Sequence, residues 1–260
     1  MMNNKNYKID KKEVNLLNKD IDLIENDKTQ TWARNYLYGH IDHYNGILNQ
    51  LTKALKINHG ERILEVGGVP GQLTSYIFKK DFHIDMVDIN PFRIKGILDR
   101  YSIEAFKVDI EKEDLPIQDK VYDLVLFNEV FEHLHINPLR IIIEINRVLK
   151  SDGILLMSVP NINPLMRWEF LFGKDYNDNL KKEFAKIENI GHMGHFRLYS
   201  ESEIITILND FDFEIIETTF QGKMYDKKSK WLKIFRFLFG NKMKNQLHVI
   251  AKKNKDIKVV

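Results

Sequence analysis

The stretch Arg62-Ile-Leu-Glu-Val-Gly-Gly-Val-Pro-Gly-Gln-Leu-Thr-Ser-Tyr76 decides the fold class of this chain. An apolar run that contains one carboxylate ends at Val66. Three glycines follow before a helical pattern begins: Gly67, Gly68 and Gly71. Strand, glycine turn and helix in this order build the nucleotide crevice of an open α/β sheet. The glycines let the backbone approach a ligand closely, and the helix N-terminus offers free N–H groups.

Strand and helix patterns alternate from residue 61 onward, which is typical of a mostly parallel sheet covered by helices. We predict strands at 62–66, 83–88, 104–108, 121–127, 153–159, 211–220 and 246–252. Helices are predicted near 71–80, 91–100, 137–149 and 201–209. The last two strands have no clear helix between them, so we expect the final strand to pair antiparallel. The fold class is therefore α/β, a doubly wound sheet.

The composition suits one soluble α/β domain with additions, or alternatively two small domains. The chain has 260 residues, 43% of them hydrophobic, and a net charge of +2 from 39 basic and 37 acidic side chains. This balance gives no overall field that favours nucleic acid or membranes. Cysteine is absent, which excludes disulfides and cysteine–metal clusters. The polar N-terminus lacks the pattern of a signal peptide, so we expect a cytoplasmic protein.

Residues 1–58 are predicted to form a helical N-terminal extension, and residues 59–260 to form the main domain with insertions at 162–199 and 221–245. Aromatic and histidine side chains concentrate between Trp32 and Tyr44. One interpretation is a helical layer that packs its rings on the domain. The other is a lid over a ligand site, in which Arg34 or a tyrosine meets a carboxylate.

The glycine turn resembles the E-x-G-x-G-x-G turn by which class I methyltransferases bind S-adenosylmethionine (SAM). Glu65, Gly67 and Gly71 occupy pattern positions, whereas Val69 stands where the family has its middle glycine. The G-x-G-x-x-G pattern of a nicotinamide dinucleotide turn is absent.

Two later predicted strands end on acids. Asp88, followed by Ile89, comes 17 residues after Gly71, where a carboxylate can accept both ribose hydroxyls of an adenosine. Its alternative role is to cap the next helix. Asp109, followed by Ile110, ends the next strand and is either a ligand residue or a loop cap.

The most specific resemblance lies in Tyr122–Leu134, where an apolar strand runs into Asn128-Glu129-Val-Phe-Glu132-His133-Leu. This segment is similar to the fourth motif of class I methyltransferases, in the subgroup with E-V-x-E-H-L that includes ubiquinone-biosynthesis O-methyltransferases. The segment from Val148 to Asn161 is similar to the family's fifth strand. The resemblance covers about residues 60–160.

The resemblance implies a Rossmann-like methyltransferase fold and SAM as cofactor, with S-adenosylhomocysteine (SAH) as product. The implied cofactor-binding residues fall into three groups. The turn, with Glu65, Gly67, Gly68, Val69 and Gly71, would hold the methionine end. Asp88 with Ile89 would bind the ribose side, and Asp109 with Ile110 the adenine. Asn128 and Glu129 would line the crevice beside the sulfonium.

Histidines are the candidate catalytic residues, because a neutral imidazole near pH 7 can accept a proton. His133 is the first choice, since the resemblance places it at the crevice, and His192 and His195 follow. The last two form an H-x-x-H pair that is either half of a metal site or a pair of loop residues. We expect no metal, since no third ligand is evident.

Residues 230–239 form a basic amphipathic pattern in which Trp231, Ile234, Phe235 and Leu238 share one helix face. Such a helix either contacts an anionic membrane surface or packs on the core or in a homodimer.

We expect methyl transfer to a hydroxyl, or less favourably an amine, of a small molecule. Sugars or glycan precursors come first, then quinones or lipid-linked molecules. The sequence shows no basic groove interleaved with aromatic residues, so it does not indicate a nucleic-acid acceptor. The alternatives are a catalytically silent SAM-binding partner protein and a nicotinamide-dependent oxidoreductase.

Overall fold

The computed structural model describes residues 8–173, 194–224 and 230–257, and only the backbone of 230–233. The described residues form a seven-stranded sheet in the order β3-β2-β1-β4-β5-β7-β6. The strands are β1 (Arg62–Val66), β2 (His83–Asp88), β3 (Ala105–Lys107), β4 (Tyr122–Asn128), β5 (Leu149–Pro160), β6 (Phe213–Met224) and β7 (Lys244–Lys253). Strands β1 to β5 run parallel, and β7 is antiparallel to both β5 and β6. The predicted fold class is confirmed.

Eight α-helices lie in the described part of the chain. They are α1 (Lys11–Ile21), α2 (Asp27–Ile57), α3 (Gln72–Phe78), α4 (Lys95–Tyr101), α5 (Pro138–Val148), α6 (Pro164–Leu171), α7 (Glu201–Asp210) and α8 (Lys230–Phe239). Short 3-10 turns cover Pro91–Ile94, Phe131–His133 and Gly240–Met243. Capping boxes begin α1, through Asp10 and Glu13, and α7, through Ser200 and Glu203. None of the described helices is long and apolar enough to cross a bilayer.

Three predicted strand boundaries were wrong. The fifth strand begins at Leu149 instead of 153, because Leu149 already pairs with Tyr122 before a bulge resets the register. The last two strands extend into the predicted insertion 221–245, since β6 continues to Met224 and β7 begins at Lys244.

Helices cover both faces of the sheet. Alternating strand residues send Ile63, Leu126 and Leu156 to one face, where they pack against α1, α2, α3 and α4. We call this the α2 face. Their neighbours Leu64 and Phe127 face the opposite side and pack against α5 and α7. Two buried apolar layers therefore hold the sheet in place.

The C-terminal half of α2 is part of the main core. Leu48 and Leu51 are fully buried and belong to the same apolar cluster as Ile154 and Ile250 of the sheet. The helix is kinked at His40, where the backbone leaves helical geometry at φ −122°. The half of α2 before this kink carries Trp32, Tyr36 and Tyr38, whereas His43 and Tyr44 follow it.

Candidate functional site

The crevice lies where the strand order reverses, between the carboxyl ends of β1 and β4. The chain leaves β1 toward β2 on one side and leaves β4 toward β5 on the other. Ligands of open α/β sheets bind at such a switch point. Strand alternation puts Glu65, Asp88 and Asn128 on the α2 face, each two residues from a side chain of that core. Polar groups of three strands therefore meet beneath α2.

The glycine turn leaves little space for a Cβ atom at its glycine positions. Gly67 has φ +78°, and a Cβ there would lie 2.2 Å from Cγ2 of Val130. A Cβ on Gly68 would come within 2.7 Å of the Met86 side chain. Gly71 has φ +85° and is the N-cap of α3. The left-handed backbone at Gly67 and Gly71 requires glycine, whereas a side chain on Gly68 would have to displace the flexible side chain of Met86.

Val69 departs from the family's glycine pattern, yet the turn accommodates its side chain. That side chain is half-buried and packs against the apolar cluster of the α2 face. Its N–H donates to Oδ2 of Asp88 at 3.2 Å, which ties the turn to the end of β2.

Glu65 is buried beneath the turn and accepts a hydrogen bond from the Thr74 hydroxyl. Burial, together with the neighbouring Asp88 carboxylate, raises the pKa of Glu65 to about 8, although the Thr74 bond opposes the shift. The folded protein therefore holds a proton on this carboxyl across much of the range in which a solvated glutamate is ionised.

The stability of the protein is expected to fall as the pH rises from about 4.5 to 8. The unfolded chain releases the Glu65 proton near the ordinary pKa of 4.5, whereas the folded chain retains it until about 8. The stabilisation from this group is complete below the lower value and is lost toward the upper one, on the order of 5 kcal/mol in total. Urea unfolding at a series of pH values measures it.

Glu65→Gln should flatten this dependence, because a neutral amide has no proton to lose. Glu61→Gln changes an exposed carboxyl just before β1 and serves as the matched control, with the wild-type slope expected. Equal slopes for Glu65→Gln and wild type would contradict the assignment.

Asp88 and Ile89 end β2 at the crevice. The Asp88 carboxylate accepts the N–H of Val69 through Oδ2 and the N–H of Asn90 through Oδ1, at 2.9 Å. It is half-buried, and the side chain of Ile89 is exposed. The capping interaction that the sequence suggests as the alternative is thus present, and the half-buried carboxylate lies beside the exposed side chain of Ile89.

Asp109 is engaged within its own loop. Its carboxylate accepts the N–H of Glu111 at 3.2 Å and pairs with Lys112 at 2.7 Å. The Lys112 ammonium and the backbone bond hold the pKa of Asp109 below its ordinary value, against partial burial. Ile110 is half-buried against the opposite core. The loop-cap interpretation describes the geometry of this side chain.

Asn128 and Glu129 end β4 in unusual states. Nδ2 of Asn128 is buried and has no hydrogen-bond partner among the described residues. Glu129 has φ +54°, a region that costs a non-glycine residue free energy, and its side chain accepts from Ser158 Oγ at 3.1 Å. An orphaned donor beside a strained residue indicates a position prepared for a ligand.

His133 forms a compact cluster with Glu132 and His195. Nε2 of His133 and Nε2 of His195 lie 3.7 and 3.9 Å from Oε1 of Glu132. The two imidazole rings are 5.1 Å apart, in an edge-to-face arrangement. Two of the three predicted histidines therefore come together, and His192 lies outside the described residues. Glu132 is a site residue that was not predicted, because the sequence presents it only as part of the motif after β4.

Tyr36 of α2 is a further residue near the crevice, and the sequence predicted only that some tyrosine of this segment lies at the site. Burial and the nearby carboxyls of Glu129, Glu132 and Glu65 raise its pKa, which places the phenol close to the crevice acids. Arg34, in contrast, pairs with Asp22 at 2.8 Å. The prediction that Arg34 or a tyrosine of a lid meets a carboxylate at a ligand site stays a prediction.

Comparison with known proteins decides the family. A family described as a methyltransferase domain matches residues 38–218. The chain belongs to this methyltransferase family. An uncharacterized protein of Methanocaldococcus jannaschii is 34% identical to this chain over 94 residues. These residues make up 36% of this chain and 39% of that protein.

Solved structures share the fold. The N-methyltransferase NodS of Bradyrhizobium japonicum, crystallised with SAH, aligns with a TM-score of 0.54 and 15% identity over 94% of this chain and 99% of NodS. The 1,6-didemethyltoxoflavin-N1-methyltransferase of Burkholderia thailandensis, solved with bound 1,6-didemethyltoxoflavin and SAH, aligns with a TM-score of 0.56 and 13% identity. This alignment covers 98% of this chain and 94% of the neighbour. The [4+2]-cyclase SpnF aligns with a TM-score of 0.51 and 16% identity over 79% of this chain and 80% of SpnF.

The family confirms the predicted class I methyltransferase and its SAM cofactor. The similarity to the ubiquinone subgroup stays a prediction. The orphaned amide of Asn128 and the open end of β2 at Asp88 and Ile89 fit an adenosyl ligand, because they offer a buried donor, an acceptor and an apolar surface in one crevice.

Asn128→Ala is expected to weaken SAH binding about tenfold while leaving the free energy of unfolding equal or slightly higher. Nδ2 makes no hydrogen bond to the described residues, so its removal relieves a buried unpartnered donor and removes one hydrogen bond, about 1.5 kcal/mol, to the ligand. Calorimetry and urea unfolding measure the two quantities. Asn209→Ala, an exposed amide on α7, should change neither. A loss of stability without a loss of affinity would contradict this account.

Proposed function

We propose that this methyltransferase moves a methyl group from SAM to a hydroxyl, or alternatively an amine, of a small-molecule acceptor. The observation that carries the proposal is the juxtaposition of the orphaned Asn128 amide with the Glu132–His133–His195 cluster at one strand switch point. The amide suits the cofactor, and the cluster suits a polar acceptor. The small-molecule substrate named for the toxoflavin-type neighbour supports an acceptor of this size and favours the amine alternative.

The cofactor residues take the roles that the sequence implies. The glycine turn and Glu65 hold the methionine end, Asp88 and Ile89 the ribose side, and Asp109 with Ile110 the adenine. To accept adenine, the Asp109 carboxylate uses lone pairs beyond those that Glu111 and Lys112 occupy. When bound, SAM supplies a methyl group on a positively charged sulfur. Alignment of acceptor and methyl in the crevice then provides much of the rate acceleration.

His133 is the proposed proton acceptor within the cluster. Its Nε2 faces the interior, and its Nδ1 lies 3.2 Å from the carbonyl of Gly194. Since a carbonyl only accepts, Nδ1 carries the proton and Nε2 offers its lone pair to the crevice. His195 stands beside it, and His192 remains a candidate from the sequence.

The N-terminal segment is proposed to act as the lid of this crevice. Tyr36 lies near the crevice acids, and Nε2 of Gln72 of α3 donates to the carbonyl of Ala33 at 2.9 Å. The half of α2 before the His40 kink therefore covers the glycine turn, while the half after it is fixed in the core. We keep the order of acceptors inferred above: sugar or glycan precursors, then quinone or lipid-linked molecules.

The proposal is tested by measuring SAH release with SAM and a panel of hydroxyl and amine acceptors, followed by mass spectrometry of the acceptor. We expect a gain of 14 mass units on a hydroxyl compound, and its loss in His133→Ala. SAH binding without turnover on any acceptor would favour the silent SAM-binding partner. The shared fold of a [4+2]-cyclase is a reason to require product detection.

Peripheral membrane contact through α8 is proposed separately. Phe235 is half-buried and packs against Trp168 at 5.9 Å, whereas Phe237 and Leu238 are 88% and 63% exposed. The surface offered to a membrane is therefore centred on Phe237 instead of the predicted Phe235. A second copy of the chain is the other occupant we consider for this surface.

Phe237→Glu should reduce co-sedimentation with anionic phospholipid vesicles at least about tenfold, because burying a phenylalanine contributes about 1.5–3 kcal/mol. Leu16→Glu places the same charge on a 42% exposed leucine of α1 and should leave binding unchanged. Sedimentation velocity without vesicles tests the homodimer. Equal vesicle binding of the two variants would contradict the membrane proposal.

A further inference from the structure

We propose that Glu132, His133 and His195 bind a divalent transition-metal ion at the edge of the crevice. The three side chains come from the 3-10 turn after β4 and from the segment before α7. One atom of each lies within 4.8 Å of the others. The functional role given to the ion below rests on the proposed function, whereas the ligand set rests on geometry alone.

The Glu132 carboxylate is the first argument. It is fully buried, and neither oxygen has a hydrogen-bond partner among the described residues. Burying a carboxylate without hydrogen bonds or a counter-charge is costly, so such groups in folded proteins are paired or coordinate metals. No lysine or arginine is among the described partners of this side chain, and its nearest basic groups are the two imidazoles. A cation between these groups gives the carboxylate its missing partner.

The distances suit coordination better than direct hydrogen bonding. Oε1 of Glu132 lies 3.7 Å from Nε2 of His133 and 3.9 Å from Nε2 of His195. Both separations exceed the range of N–H···O bonds. A tetrahedral ion that binds nitrogen and oxygen at about 2.1 Å holds its ligands about 3.4 Å apart. Shifts of a few tenths of an ångström would close the site.

The supporting contacts are those of a metal ligand. Metal-bound histidines donate their second ring N–H to a carbonyl or carboxylate, and Nδ1 of His133 has the Gly194 carbonyl at 3.2 Å. This contact directs the lone pair of Nε2 toward Glu132. The N–H groups of Phe196 and Arg197 donate to the Glu132 carbonyl at 2.7 and 3.2 Å. Backbone bonds thus hold the segment that carries His195 against the turn that carries the other two ligands.

Two imidazoles and one carboxylate select the class of ion. Nitrogen ligands suit Zn²⁺, Co²⁺, Fe²⁺ and Mn²⁺, whereas Mg²⁺ and Ca²⁺ favour oxygen ligands. Three protein ligands leave a position open, as in catalytic zinc sites. A hydroxyl of the acceptor can occupy it, and the ion lowers the pKa of that hydroxyl. With the ion bound, Nε2 of His133 is a ligand and no longer takes the proton as proposed above, so the hydroxyl proton leaves to water.

The test uses untagged full-length protein, treated with chelator and dialysed. Co²⁺ is titrated by visible absorption, and Zn²⁺ and Mg²⁺ by calorimetry. We expect one Co²⁺ or Zn²⁺ per chain at micromolar affinity or tighter, and much weaker binding of Mg²⁺. Loss of an outer partner of a metal site costs 10–100-fold in affinity, so Glu132→Gln and His195→Ala, which remove direct ligands, should each weaken binding by more than about 100-fold.

His83→Ala is the matched control. His83 also neighbours a buried carboxylate, with its Nε2 3.4 Å from Asp85, but it is exposed at the opposite end of the sheet. Its substitution should leave metal affinity unchanged. SAH calorimetry on every variant reports the fold and the cofactor site independently. If Glu132→Gln fails to fold, His195→Ala decides, because that side chain is 45% exposed.

Two results would overturn the metal site: a wild-type protein that binds SAH but no Co²⁺ or Zn²⁺, or variants that bind these ions as tightly as wild type. Stoichiometric binding that both variants lose would support it. Metal binding without SAH binding would support the ion site and contradict the proposed function, so the two failures are distinguishable.

Discussion

Gly67→Ala is expected to weaken SAH binding by at least about 100-fold and to lower the free energy of unfolding by about 1–3 kcal/mol. Gly67 has φ +78°, which disfavours any L side chain, and the added Cβ would lie 2.2 Å from Cγ2 of Val130. Valine is stiff at χ1, so the clash cannot be relieved by a side-chain rotation alone. The turn must shift, and the segment after Asn128 with it.

Gly39→Ala is the control for this substitution. Gly39 lies in α2 with no atom within 4 Å of an added Cβ, so alanine should preserve SAH affinity and stabilise the helix by up to about 1 kcal/mol. Calorimetry with SAH and urea unfolding compare the two variants. A Gly67→Ala protein that binds SAH as wild type does would remove the turn from the cofactor site.

Asp88→Ala should likewise reduce SAH affinity by about 100-fold. The change removes a charged acceptor, whose hydrogen bonds contribute about 1.5–3 kcal/mol each, from the end of β2. It also leaves the N–H groups of Val69 and Asn90 without their acceptor, so the turn loses its tie to β2. Affinity and stability should therefore fall together, and affinity should fall further.

Asp88→Asn separates the two contributions. The amide oxygen keeps one acceptor for the backbone, so stability should largely return while affinity stays reduced. Asp99→Ala, which removes an exposed carboxylate paired with Lys95 on α4, should leave both quantities unchanged. If Asp88→Ala lowers stability but not affinity, capping is the whole role of Asp88.

The sheet and the cofactor side of the crevice could be predicted because local chemistry determines them. Apolar runs bounded by glycine, proline and acids set the positions of β1, β2 and β4, and backbone φ at Gly67 and Gly71 requires the residues that the sequence has. Strand ends with acids necessarily meet at one edge of a parallel sheet. The family resemblance added the identity of the nucleotide to this geometry.

The remaining features depend on contacts between distant segments. The sequence does not show that both carboxylate oxygens of Glu132 are buried without a hydrogen-bond partner among the described residues. It also does not show that His195, 63 residues further on, lies beside this carboxylate. The expectation of no metal considered only the residues near the H-x-x-H pair in sequence, and it stays a prediction. The exposure of Phe237 instead of Phe235 also follows from tertiary packing, because Trp168 of α6 covers one side of α8.

The central claim is that this crevice binds an adenosyl ligand through Asp88 and the glycine turn. Calorimetric titration of purified protein with SAM, SAH and NAD tests it most directly. We predict saturable binding of SAM and SAH at one site per chain, lost in Asp88→Ala, and no binding of NAD. Binding of NAD alone by the folded protein would contradict the account.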